Sequence, residues 1–212
     1  MDHVVPACLF PAARPQVMVT VPACFVCNQE KKIDDEYLRD WMVLDFENAG
    51  HSVAEGALKE KMLRAARRGQ SRLAKDVRQN MRLVSVHTPE GLYLGHSPAM
   101  PLDYERANRI FSRIACGLYY QLYHRRLPDE TKFEVRRIQP HAKQQWVQTM
   151  CQMGLKETRC IGQFFECMHT IAAEDATVTC WLMRFFHIFI SVSTNLHRIP
   201  EPGPKPLTSW LG

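Results

Sequence analysis

Apolar residues recur along this chain at two different periods, and the change between them organises it. Over residues 32–49, Ile33, Tyr37, Leu38, Trp41 and Leu44 fall on helical spacing, with Gly50 placed as a C-cap. Further amphipathic helices are predicted over 54–69, through Leu58, Met62 and Ala65, and over 71–83, through Leu73, Val77 and Met81. The longest follows Asp103, a natural N-cap, and carries Ala107, Ile110, Phe111, Ile114, Leu118 and Leu122 on one stripe as far as His124. Residues 141–153 read as one more helix. Strand patterns occur at 17–21 and 131–138. They return at 160–171, 176–184 and 185–192, which alternate or are apolar throughout, with a turn at Ala173-Glu174-Asp175. Pro6, Pro11, Pro15 and Pro22 exclude a long helix before residue 28. Segment 84–101 holds Pro89, Gly91, Gly95 and Pro98 and reads as a hairpin or loop, the best internal boundary.

These elements predict an α+β protein in which a C-terminal long helix packs on a small, mostly antiparallel sheet. The expected divisions are 1–50, 51–100, 101–198 and a Pro-rich tail over 199–212. With 212 residues, 46% hydrophobic and 23% charged, the composition excludes a collagen, a disordered chain and a bare coiled coil. The nearest approach to a membrane span, 180–192, is too short and contains Arg184 and His187. Met1-Asp2-His3 has neither the basic nor the apolar region of a secretion signal, so a cytoplasmic location is expected.

Charge is unevenly spread. Residues 29–49 carry seven acids and three bases, whereas 54–82 carry nine bases against Glu55, Glu60 and Asp76. A block containing Lys59, Lys61, Arg64, Arg67, Arg68, Arg72, Lys75 and Arg78 suits a polyanion such as DNA, whose counterions it would release. A solvated helix face is the equal alternative. Arg106, Arg109 and Arg113 fall opposite the apolar stripe of the long helix, as solvated arginines or an extension of a nucleic-acid surface.

Of eight cysteines, only Cys24 and Cys27 form a C-x-x-C pair. Without a secretion signal the thiols are expected to be reduced, and Cys116, Cys160, Cys167 and Cys180 read as small buried hydrophobes. His87, His96, His124, His141, His169, His187 and His197 show no ligand spacing. No P-loop or dinucleotide-binding glycine motif is present.

The chemistry lies at the front of the chain. Asp2-His3-Val4-Val5-Pro6 offers a carboxylate beside an imidazole. Cys24-Phe25-Val26-Cys27-Asn28 offers two thiolates, half of a tetrahedral zinc site, and a hard amide oxygen. In this order the two segments resemble the HNH endonuclease family of ββα-metal nucleases, of bacterial or phage type, over about thirty residues. The resemblance implies His3 as general base, Asp2 and Asn28 as ligands of a catalytic Mg²⁺ or Mn²⁺, and Cys24 and Cys27 as half of a structural Zn²⁺ site. It implies a metal-dependent endonuclease hydrolysing DNA phosphodiesters. The family's first C-x-x-C, and the strand that delivers its histidine, have no counterpart before His3, and Val19 stands where the family has its middle asparagine. A truncated or degenerate member with impaired cleavage is therefore expected. The alternatives are a non-catalytic nucleic-acid-binding or interaction protein descended from such a nuclease, or a host-interaction protein whose basic block is merely solvated.

Overall fold

The structure, a computed structural model, describes residues 1–10, 18–69, 71–88, 90–99, 103–152, 157–161 and 164–196. The side chains of 72–74, 78 and 157–161 lie outside this description. The fold is α+β with antiparallel sheets.

A short antiparallel pair opens the chain. Strand β1 (Asp2–His3) lies against β2 (Thr20–Val21), with Asp2 opposite Val21 and His3 opposite Thr20. The Val4 amide extends the pair by donating to the Val19 carbonyl at 2.9 Å. His3 is thus delivered on a strand after all; two residues of β1 were too few to show a period.

Helix α1 (Phe25–Leu44) follows directly. It begins seven residues before the apolar pattern does and ends five before its predicted limit at 49. The early start escapes periodicity because Phe25 and Val26 are exposed while Lys31 is buried. Cys24 caps the helix, its Sγ accepting from the Cys27 amide. At the other end Asp45 leaves helical geometry and accepts from the Glu47 amide, starting the 3₁₀ turn Phe46–Asn48. The buried face of α1 is Tyr37, Leu38, Trp41 and Met42, whereas Ile33 and Leu44 of the predicted stripe are exposed.

A π turn (Ala54–Leu58) runs into α2 (Lys59–Arg67), and α3 (Arg72–Asn80) is shorter than its predicted span because Arg82 already enters a strand. Strands β3 (Arg82–His87) and β4 (Tyr93–Ala99) make a separate hairpin, as the proline and glycine spacing indicated.

Helix α4 (Tyr104–Tyr123) is N-capped by Asp103, whose carboxylate accepts from the Arg106 amide at 2.9 Å, and ends at His124 in left-handed geometry. Its stripe packs on a five-stranded sheet. Strands β5 (Phe133–Ile138), β6 (Glu157–Ile161), β7 (Phe165–Ile171), β8 (Thr179–Phe185) and β9 (Ile188–Thr194) stand in the order β5-β9-β8-β7-β6. All neighbours are antiparallel. The predicted strand over 160–171 is in fact the β6–β7 hairpin. Helix α5 (Lys143–Gln152) brings Met150, Trp146 and Val147 to Ile138, Cys180 and Leu182. Trp181, Met183 and Phe185 join the main core instead. Alternation along β8 thus feeds two apolar layers, which is why residues 180–183 are apolar without a break.

Val4, Val5, Leu9 and Phe10 belong to that main core, together with α1, α4 and the sheet. Phe10 meets Phe164 edge-on at 5.9 Å. Gly117 of α4 faces Val4 so closely that a Cβ would come within 2.8 Å of its Cγ2.

Candidate functional site

The β1–β2 pair and the start of α1 bring the front motif together. Strand pairing fixes the Asp2-His3 backbone, and helix α1 presents Lys31 to it. Lys31 Nζ stands 3.1 Å from Asp2 Oδ2 and 3.9 Å from Asp35 Oδ2, and also donates to the His3 carbonyl. The ammonium is buried. Asp35, its second carboxylate, is pushed up from 3.8 to about 7, first by burial and then by Asp2 and Asp34, against the pull of Lys31. His3 Nδ1 is buried and lacks a hydrogen-bond partner.

Asn28 sits in the first turn of α1, half-buried, its backbone N–H donating to the Cys24 carbonyl at 3.1 Å. Cys24 and Cys27 are both exposed. The Cys27 amide donates to Cys24 Sγ at 3.3 Å, and hydrogen bonding from Cys27 lowers the Cys24 thiol while Cys24 in turn raises Cys27. Cys8 points elsewhere. Its thiol donates to the Asp35 carbonyl at 3.2 Å, and burial pushes it up to about 12.

The donor chemistry fits the two implied metals to different degrees. Two exposed thiols at this spacing suit zinc and supply half of its tetrahedron. Asp2 and Asn28 offer oxygens of the kind Mg²⁺ and Mn²⁺ prefer, but Lys31 already neutralises Asp2. Among the described residues no group of three or more His, Cys, Asp or Glu side chains is placed to hold a metal ion.

The arginines of α4 gather on one buried acid, while Arg109 and Arg113 keep part of their side chains in water. Arg109 donates twice to Asp34, from Nε at 2.9 Å and Nη2 at 3.0 Å. Arg113 donates from Nη1 at 2.8 Å, and Arg106 Nε approaches to 3.5 Å. Asp34 is buried on the face of α1 that also carries Tyr37, Leu38 and Trp41. That position in the helical period is a readable signal for a buried acid, although periodicity of the apolar residues alone does not single it out. Lys31 escapes sequence reasoning in the same way. A second buried seam joins the end of α1 to the sheet, where Arg137 binds Asp45 at 2.6 and 2.8 Å and Glu47 at 2.7 Å.

The basic block divides. Lys59, Arg64, Arg67, Arg68 and Lys75 are exposed, with Arg64 lying 3.6 Å from Glu60 one turn away. Lys61 is instead half-buried and donates to the Phe10 carbonyl at 2.8 Å, which gives it a structural task. The side chains of Arg72 and Arg78 lie outside the described residues. So does the tail over 199–212. Among the described residues no helix is long and apolar enough to cross a membrane.

Compared with known proteins, the chain matches no family model, no curated protein and no solved structure.

Proposed function

We propose that this chain is an HNH-like, metal-dependent endonuclease that hydrolyses DNA phosphodiesters, working in the cytoplasm. The observation that carries this reading is the order β1, β2, α1, with His3 on the first strand and Cys24, Cys27 and Asn28 at the start of the helix. The unpartnered Nδ1 of His3 supports it as the base. In the proposed reaction the imidazole takes a proton from a water molecule as the water oxygen bonds to phosphorus. The P–O3′ bond breaks and the leaving oxygen takes a proton from solvent. Mg²⁺ or Mn²⁺ held by Asp2 and Asn28 would supply the positive charge that such a step needs, and zinc at Cys24 and Cys27 would brace the helix start. The exposed cations of α2 and α3 would hold the DNA backbone.

The pairing of Lys31 with Asp2 favours a second reading, a non-catalytic nucleic-acid-binding descendant of such a nuclease. Conversion of supercoiled plasmid to nicked circles separates the two. Under the first reading the chain nicks in Mn²⁺ or Mg²⁺, and both EDTA and His3→Ala abolish the nicking. Binding of the same plasmid without any nicking, at every metal concentration, establishes the second.

A further inference from the structure

The tip Cys24-Phe25-Val26-Cys27 projects both of its thiols and both of the apolar side chains between them. Phe25 is 76% exposed and Val26 62%. Neither feature suits a tip that stands alone in water. Large apolar side chains exposed together mark a surface that is covered in use, and two thiolates at this spacing are a half-filled tetrahedral donor set. Within the described residues the chain does not complete that set. Cys8 is committed to the Asp35 carbonyl, eight residues beyond Cys27 and so about 12 Å along the helix axis.

We infer that a second copy of this chain completes the site, two Cys24-Phe25-Val26-Cys27 tips meeting across a twofold axis to hold one zinc ion between four thiolates. A twofold contact requires the same patch on both partners, and this patch complements itself twice. Two donors added to two make the tetrahedron, and Phe25 and Val26 of one tip cover those of the other. The inference rests on the zinc part of the proposed function and is independent of cleavage.

The test titrates the metal-free chain, kept reduced, with zinc while mass is followed by light scattering. The expected result is saturation at half an equivalent of zinc per chain, with the mass doubling from 24.5 kDa and returning when a chelator is added. Cobalt in place of zinc should give the intense visible bands and sulfur charge-transfer absorption of a tetrahedral thiolate site, saturating at the same half equivalent. Cys24→Ser keeps a side chain able to cap α1 and should abolish both signals without altering the helical circular dichroism. Phe25→Asp should weaken zinc-dependent dimerisation by about tenfold or more. One equivalent of zinc bound by a monomer overturns the second copy and leaves zinc in the functional reading. Absence of zinc binding overturns both. A dimer that forms equally without zinc also overturns the inference.

Discussion

Lys31 Nζ lies 3.1 Å from Asp2 Oδ2 and in the same stroke donates to the carbonyl of His3, so one buried ammonium ties the first strand to the first helix. Any divalent ion using Asp2 competes with it directly. Lys31→Met removes the charge and keeps much of the aliphatic stem. We expect it to tighten Mn²⁺ binding by about tenfold or more, as the ion gains a carboxylate no longer neutralised. Mn²⁺ titration followed by electron paramagnetic resonance measures this. Unchanged or weaker binding would remove Asp2 from the metal assignment.

Asp34 holds Arg109 and Arg113 in hydrogen bonds, with Arg106 close by, and joins α1 to α4. Asp34→Ala leaves those guanidinium groups facing one another. Loss of a buried charge partner costs about 3–5 kcal/mol, but Arg109 and Arg113 keep 46% and 36% of their side chains in water. Solvent screening reduces the expected loss to about 2 kcal/mol. Urea unfolding monitored by tryptophan fluorescence should show it, and a loss below about 0.5 kcal/mol would mean the cluster is only a surface arrangement.

Asp35 titrates near 7 in the folded chain against an ordinary 3.8, chiefly through burial. The folded state therefore binds more protons than the unfolded state between these values, and stability falls as pH rises through that window. Below it the carboxyl is neutral in both states and the penalty vanishes. Asp35→Asn should accordingly raise the melting temperature at about pH 8, by roughly 2–4 °C for each kcal/mol recovered, and leave it unchanged near pH 4. A gain independent of pH would contradict this sign.

The exposed cations of α2 make a different forecast from Lys61. Converting Arg64, Arg67 and Arg68 to Gln should flatten the dependence of log K on log salt by about 0.9 for each phosphate no longer neutralised, with little effect on folding. Lys61→Gln removes a bond to the Phe10 carbonyl and should lower stability while leaving the salt slope nearly as it was. Equal salt slopes in the triple variant and the parent would return α2 to an ordinary solvated helix.

Gly117 and Val4 approach so closely that Gly117→Ala must displace the valine methyls. Overpacking of this kind costs about 1–3 kcal/mol, partly offset by the better helix propensity of Ala, roughly 1 kcal/mol. A net loss of about 1 kcal/mol is expected, and it should disappear or reverse when Val4→Ala makes room. Additive effects of the two substitutions would disprove the close approach.

What could be read from the sequence divides along physical lines. Helix α4, with its cap at Asp103, followed from periodicity because one face of it is buried along its whole length. The β3–β4 hairpin followed from its turn residues. The start of α1 did not, since a cysteine caps it and its first turn is exposed. Pattern alone runs residues 160–171 together as one strand, although Gly162 lies within them in the sequence. That Arg106, Arg109 and Arg113 gather on Asp34 is not announced by the sequence, because their acid lies on another helix, far away in the chain. At the candidate site the Asp-His and C-x-x-C segments stand out in the sequence by residue type and spacing. The pairing of Asp2 with Lys31 does not, since nothing local to either residue announces it.

The position of the first ten residues has a consequence for synthesis. Val4, Val5, Leu9 and Phe10 are made long before the sheet, yet they belong to a core shared with it, and Phe10 finds its ring partner only at Phe164. At ordinary elongation rates that interval is on the order of ten seconds. Throughout it these four apolar side chains lack their partners in the sheet, so nascent chains stalled before β7 should be protease-sensitive across residues 4–10. The core can close only once β9 has been made, so its assembly depends on non-local contacts and is correspondingly slow.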